Sequence, residues 1–403
     1  MKLRVLFIYD GDYPWDIRVE KVCNTLIKYD CEVHLICRNL AKKIRYEQYR
    51  NIHIHRISFL SGIFGKLNDA WTFPFFLSPV WISETLRQLN KEEFDLIIIR
   101  DLPMAICGIL AGKIKGIPTL LDMAECYPEM LRCTWKFEKF RLVNIVLRNP
   151  FFADIIEKIV MKLIDYVFVM IDESRDRLIT KKLKRNKIFI VSNTPVLTRF
   201  EKAKKQFPNK SKRSDTLRLI YVGLVNASRG LDTAIEAIHM YIQSNQNIEF
   251  WIIGDGKARL YLERKVVSLN LNKYIRFLGW IDNKKVPEYI YASDVCIVPH
   301  HRCSHWDNTI PNKIFDYMAA GKPVIVSDVP PVVKIINSEQ CGYYYKDYDT
   351  FDLVSKLRFL EDPQIRSTMG ENGCRAVEEK YNWSNEEFVI QKTLSHIRLK
   401  TTQ

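Results

Sequence analysis

The sequence predicts an α/β protein built from two doubly wound parallel sheets in tandem. Short apolar, β-branched runs alternate with longer amphipathic stretches along the whole chain, as βαβ units do. The chain has 403 residues, more than one ordinary core holds. The alternation also breaks once, between residues 193 and 216, where Lys, Arg, Pro, Asn and Ser replace it.

In the first half the strand candidates are residues 3–9, 32–37, 52–57, 95–100, 119–122, 166–170 and 188–191, enough for one sheet. The second series comprises residues 217–223, 248–254, 275–279, 295–299, 323–327 and 342–345. The expected organisation is a first domain over 1–193, a linker over 194–216 and a second domain over 217–380. A final amphipathic helix over 381–403 is expected to return to the first domain. Two such sheets place a ligand cleft between the carboxyl ends of their strands.

The formal charge of +14 and the isoelectric point near 9.2 favour an anionic partner: nucleic acid, a nucleotide or the anionic face of a membrane. The cationic residues are spread along helices and the linker without a recognition module, so nucleic acid is not the expected one. No stretch of about 18 uncharged apolar residues occurs, and Met1 leads directly into a charged, strand-like run, so the expected location is the cytoplasm. The ten cysteines are scattered, without Cys-x-x-Cys spacing, and read as reduced core thiols. Two aromatic and basic stretches, 59–81 and 131–152, suit either a peripheral anchor on the inner face of the plasma membrane or core-packing insertions.

Several chemistries are excluded by what is missing. The turn after the first strand, "YDGDYPWDIRV", has one glycine, and "IIGDGKARL" at 252–260 lacks the third of a Gly-x-Gly-x-x-Gly fingerprint. There is no Gly-x-x-x-x-Gly-Lys-Ser/Thr loop. "HHRCSH" at 300–305 offers His300, His301, Cys303 and His305 in one loop, but no second cluster completes a zinc site, and the segment reads as a loop lining the cleft. No metal and no cofactor are expected. In "NTIPNKIFDYMAAGKPVIVS", residues 308–327, Pro311 suits the first helical position while Gly321 and Pro323 stop the helix. A helix that opens in a loop after a strand is a place for an anion.

The blocks "LIYVGLVNASRGLDTAIEA", "WIIGDGKARLYLE", "IRFLGWIDNKKVPEYIYASDVCIVPH" and "NTIPNKIFDYMAAGKPVIVSDVPPV" resemble, in order and spacing, those of family 4 retaining glycosyltransferases. "DIRVEKVCNTL" and "RDLPMAICGILAGKIKGIPTLLDMAECYPE" are similar to the acceptor-domain blocks, so the resemblance covers nearly the whole chain. It implies a GT-B architecture of two Rossmann-like domains facing across a cleft, with a nucleoside-diphosphate sugar on the second and a glycan or lipid-linked acceptor on the first. The implied reaction is transfer of a hexose with retention, in which the leaving phosphate takes the acceptor's proton and no protein nucleophile is needed.

The resemblance assigns the donor to Gly11, Gly223, Arg229, Gly254, Asn308, Thr309, Ile310, Pro311, Asn312, Lys313 and Asp316, and catalysis to Arg229, Asn308 and Glu125. The family's two glutamates fall on Asn308 and Asp316, of which only Asp316 keeps a carboxylate for the ribose hydroxyls. Its first phosphate-binding arginine falls on Leu224, leaving Arg229, with Lys313 or the helix amides, to hold the diphosphate. Its Asp-x-His-Glu block reads Asp122, Met123, Ala124, Glu125 here. Asp12 accompanies Gly11 after the first strand, and Arg18 is a further candidate with Asp16 and Glu20 as nearby partners. Leu224, Ala124 and Asn308 motivate the rival reading, a catalytically silent subunit that binds a nucleotide-sugar. A nucleotide-sugar epimerase would need paired acids and a histidine that cannot be assigned.

Overall fold

The computed structural model describes residues 2–14, 16–57, 76–137, 148–206, 216–245 and 247–401. The chain divides into two units, the first comprising Met1–Trp135, Lys139–Asn193 and Glu386–Gln403, the second Lys136–Glu138 and Thr194–Asn385. Most of the aromatic stretch 59–81 and the middle of 131–152 lie outside the described residues.

The first unit holds an eight-stranded sheet of β1 (Leu3–Asp12), β2 (Cys31–Arg38), β3 (Tyr46–Tyr49), β4 (Ile52–Arg56), β5 (Leu96–Arg100), β6 (Thr119–Met123), β7 (Tyr166–Val169) and β8 (Ile188–Ile190). Its order is β3-β4-β2-β1-β5-β6-β7-β8, parallel except for the pair β3 and β4. The chain winds outward from β1 to β4, returns to β5 and winds outward to β8, so the switch point lies between β1 and β5. Helices cover both faces, which is why β5, "LIIIR", is buried at every position rather than alternating. β3, "YEQY", is absent from the predicted strands. It pairs antiparallel at the edge and is fixed by the buried Arg56 guanidinium, which donates to Ile44 O, Tyr13 O and the Glu47 carboxylate.

The second unit holds β9 (Leu217–Val222), β10 (Ile248–Ile253), β11 (Ile275–Gly279), β12 (Val295–Val298), β13 (Val324–Ser327) and β14 (Gly342–Tyr345), in the order β11-β10-β9-β12-β13-β14. All pairs are parallel, and the switch point lies between β9 and β12.

Part of the stretch read as a linker is a helix, Leu197–Gln206. It buries Phe200 and Ala203 on one face, and Phe200 O accepts from the Tyr291 hydroxyl at 3.2 Å. Residues 207–215 of that stretch are outside the described ones. The helix Trp383–Thr401 buries Ile390, Leu394 and Ile397 at helical spacing. The Glu386 carboxylate, in the part of the helix that belongs to the first unit, accepts from Ser192 N, and Glu387 pairs with Lys28 at 2.6 Å. None of the ten cysteines forms a disulfide, and nine of them are buried. Among the described residues no helix is long and apolar enough to cross a membrane.

Candidate active site

At the switch point of the second sheet the turns after β9, β10 and β12 meet. Gly223 follows β9 and donates its N–H to Ile253 O at 2.9 Å. Gly254 follows β10 with φ 125°, and a Cβ there would stand 1.9 Å from Gly223 O, so only glycine allows the two strand ends this close. A single 3-10 turn, Ala227–Arg229, ends at Gly230 with φ 63°. A Cβ on Gly230 would stand 1.7 Å from Pro299 O, just beyond β12. The turn carrying Arg229 is thereby pressed against the end of β12.

This frame brings together two cations distant in sequence. Lys313 Nζ lies 3.8 Å from the centre of the Tyr221 ring and beside Gly223. The Arg229 guanidinium stacks 4.7 Å above Trp306 and donates to His300 Nε2 at 2.8 Å. A guanidinium has only donors, so His300 accepts through Nε2 and is neutral with its proton on Nδ1. Desolvation, with the charges of Lys313 and Arg229, accordingly holds His300 well below the usual imidazole range.

Among the described residues no carboxylate pairs with Arg229 or Lys313, and Arg229 Nε is buried without a hydrogen-bond partner. Desolvation, with the Arg229 charge adding to it, pushes the Lys313 ammonium well below its usual value. Two half-buried cations with no carboxylate partner among the described residues raise the energy of the protein that holds them. A bound anion removes that penalty.

The segment 308–316 lies against this pair but differs from expectation at the helix start. The helix is Lys313–Ala319, so Pro311 stands ahead of the N-cap Asn312 rather than at the first helical position. The N–H groups of Ile314 and Phe315 already bond to Pro311 O and Asn312 O at 3.1 Å, which leaves the side chains of Arg229 and Lys313, not the helix amides, as the main positive charge. Thr309, Ile310 and Pro311 are buried and pack the loop. The Asn308 amide donates to Ser304 O at 2.7 Å, and its N–H to His305 O at 3.0 Å. Asp316 is half-buried one turn along, close enough for its charge to act on Arg199, a residue to which the sequence assigned no role. Leu224 is exposed and takes no part in the cationic pair.

His300 and His301 do not converge. His301 bonds to Asp347 through Nδ1 at 2.7 Å and to Asp232 through Nε2 at 3.0 Å, and stacks on Tyr348. Desolvation opposes protonation there, but the two carboxylates outweigh it and raise His301 to about 9.

Gly11 and Glu125 belong to the first unit, as do the residues around its own switch point. Gly11 lies in the irregular end of β1, where a Cβ would meet the Tyr9 ring at 2.5 Å. The N–H groups of Ala124 and Glu125 donate to Asp101 Oδ1 at 3.0 and 3.3 Å. Asp101 sits immediately after β5 with φ 58°, an unusual conformation for any residue but glycine. Desolvation, with the Glu125 charge adding to it and Arg100 opposing, raises its carboxyl to about 7. Arg100 lies 3.1 Å from Asp101, 3.8 Å from Asp122 and 3.9 Å from Asp16.

Arg18 does not pair with the side chains of Asp16 or Glu20, its expected partners. Its guanidinium grips Asp122 with contacts of 2.5 and 3.0 Å, both side chains being fully buried, and only its backbone N–H reaches Asp16. Against the cost of burial, the Arg18 and Arg100 charges hold Asp122 below the usual carboxylate range. Arg18 thus secures β6 to the helix Ile17–Lys28.

Residues 202–375 match the family model of the glycosyl transferases group 1. That match falls within the carboxyl-terminal unit. The group 1 blocks include every donor residue named above except Gly11. The chain is 23% identical over 360 residues to alpha-D-kanosaminyltransferase of Streptomyces kanamyceticus, covering 86% of this chain and 89% of that one. It is 23% identical over 295 residues to UDP-Gal:alpha-D-GlcNAc-diphosphoundecaprenol alpha-1,3-galactosyltransferase of Escherichia coli, 71% of each chain. Sucrose-phosphate synthase from Thermosynechococcus elongatus superposes with a TM-score of 0.79 over the full length of both chains at 18% identity. The fold is GT-B.

Proposed function

We propose that this group 1 glycosyltransferase moves a hexose, with retention, from a nucleoside-diphosphate sugar to a glycan or lipid-linked acceptor in cell-surface polysaccharide or glycoconjugate synthesis. The observation that carries the reading is the pairing of Arg229 with Lys313 at a strand-end switch point, without a carboxylate partner among the described residues. A diphosphate has the charge and oxygens that this pair lacks. As the sugar–phosphate bond breaks, negative charge grows on the leaving phosphate, and the same two cations stabilise it more than they stabilise the ground state. Asp316 is assigned the ribose hydroxyls, Asn308 a sugar hydroxyl, and Glu125 the acceptor hydroxyl. No bound metal is required for the charge balance.

The galactosyltransferase relative, whose name states a UDP-linked donor and a diphosphoundecaprenol acceptor, supports this class of substrate. A peripheral contact with an anionic membrane on the cytoplasmic side is supported by the helix Pro150–Leu163, which exposes Phe151, Phe152, Ile155 and Ile159 beside Lys158 and Lys162. The second reading, a silent nucleotide-sugar-binding subunit, is favoured by one observation, the exposed Leu224 where a second arginine is expected.

The experiment is incubation of the purified chain with UDP-, GDP- and ADP-hexoses, with and without lipid extract, reading released nucleotide and the anomeric configuration of the product by NMR. Release with an α-product from an α-donor is the expected result. A β-product overturns retention, and firm donor binding with no release under any condition selects the silent subunit.

A further inference from the structure

Strands β2 and β4 run parallel with His34 opposite His53 and Ile36 opposite His55. Alternation therefore places Glu32, His34, His53 and His55 on one face of the sheet. One ligand atom each from Glu32, His34 and His53 lies within 4.8 Å of the other two, and among the described residues this is the group of His, Cys, Asp or Glu side chains that closes in this way. The cluster begins at the second residue of β2, toward the amino end of the sheet, whereas the switch-point residues Gly11 and Arg100 lie in the carboxyl-terminal ends of their strands and Asp101 follows β5.

The surroundings orient each donor. Arg4 Nε holds one Glu32 oxygen at 3.2 Å, leaving the other 3.0 Å from His34 Nε2. Glu92 Oε2 lies 3.5 Å from the same nitrogen. His53 Nδ1 bonds to the Tyr46 hydroxyl at 2.9 Å, which turns its Nε2 lone pair outward from that bond. His34 Nδ1 lies 3.1 Å from His55 Nε2. Metal-bound imidazoles are typically anchored through their second nitrogen, and both His34 and His53 already have that anchor.

We propose that Glu32, His34 and His53 form a binding site for one divalent transition-metal ion of the zinc class, with Glu92 as the fourth ligand. Two imidazoles and two carboxylates suit zinc or cobalt(II), and their arrangement ties β4 to its neighbour β2. Without metal, His34 donates from Nε2 to Glu32 and accepts at Nδ1 from His55. Binding displaces the Nε2 proton to solvent; the His55 Nε2 proton passes to His34 Nδ1, and His55 takes one up at its own Nδ1. The proton count is unchanged.

The test uses the full chain, stripped with chelator and kept reduced, titrated with zinc sulfate against a chromogenic indicator and with cobalt(II) chloride by visible spectroscopy. One equivalent should bind with a micromolar or tighter Kd, cobalt should give a tetrahedral-type spectrum, and zinc should raise Tm. His53→Ala should weaken binding at least tenfold and abolish the Tm rise while leaving nucleoside-diphosphate binding unchanged. Glu32→Gln, which keeps the shape of the side chain, should weaken binding similarly and serves if His53→Ala fails to fold. Absence of stoichiometric binding by the wild type overturns the proposal. So does undiminished affinity in the folded variants, since the ion would then sit on the thiols or on the His300 loop.

Discussion

Replacing Lys313 with methionine should stabilise the unliganded protein and weaken its hold on a nucleoside diphosphate, two effects of opposite sign from one substitution. Methionine keeps most of the length of the side chain and can lie on the Tyr221 ring, so packing near Gly223 changes little. What disappears is a desolvated ammonium that faces Arg229 without a carboxylate. Relieving an unpaired, partly buried charge is worth roughly 1 to 3 kcal/mol. For a unit of this size each kcal/mol moves Tm by about 2 to 4 °C. Loss of one charge-assisted bond to phosphate costs about 1.5 to 3 kcal/mol, or about 10- to 100-fold in Kd.

The sign with pH follows from the same shift. The folded-state value lies below that of the unfolded chain, so between the two the unfolded state binds more protons and stability rises with pH toward 10.5. Lys313→Met should flatten that rise relative to the wild type. Denaturant melts with and without UDP, GDP and ADP, together with calorimetric titration, measure all three quantities. A variant that is less stable than wild type when unliganded and binds nucleotide equally well would refute the reasoning, because Lys313 would then be a packing residue and not a reserved counter-charge.

Arg229→Lys keeps the charge but loses the planar fork and the stack on Trp306, and should weaken diphosphate binding by about 10-fold or more in a calorimetric titration. Gly254→Ala forces a Cβ to within 1.9 Å of Gly223 O at φ 125° and should cost roughly 2 to 4 kcal/mol in urea unfolding, with donor binding lost alongside. His301, raised to about 9 between Asp232 and Asp347, contributes stability that is complete below pH 6.5 and vanishes as pH rises through about 9. That contribution is up to about 3 kcal/mol, and His301→Gln should remove its pH dependence in melts between pH 6 and 10.

The strands were legible because buried parallel strands are continuous apolar runs that need no partner to be recognised, as "LIIIR" and "VCIV" illustrate. β3 was not, because "YEQY" is polar and becomes a strand only through its pairing with β4 and the Arg56 contacts. The helix Leu197–Gln206 escaped for a similar reason: Phe200 and Ala203 are its buried anchors in an otherwise cationic stretch. Arg229 and Lys313 were named from resemblance to a family, but their proximity depends on β9 lying between β10 and β12, which no local pattern encodes. The aromatic platforms Tyr221 and Trp306 carried no signal apart from composition. Asp101 was hidden inside a quoted block, since a positive φ at a strand end is invisible in sequence. The Glu32, His34 and His53 group likewise needs the register of β2 against β4.

The central claim is that the second unit holds a diphosphate between Arg229 and Lys313. The most direct measurement is calorimetric titration of the full chain with a phosphate ladder on each base, from nucleoside through monophosphate to diphosphate, at two salt concentrations. One base series should gain at least about 100-fold in affinity on reaching the diphosphate, with the gain shrinking at high salt and in Arg229→Lys. Equal affinity for nucleoside and diphosphate, in every series and at either salt concentration, would contradict it.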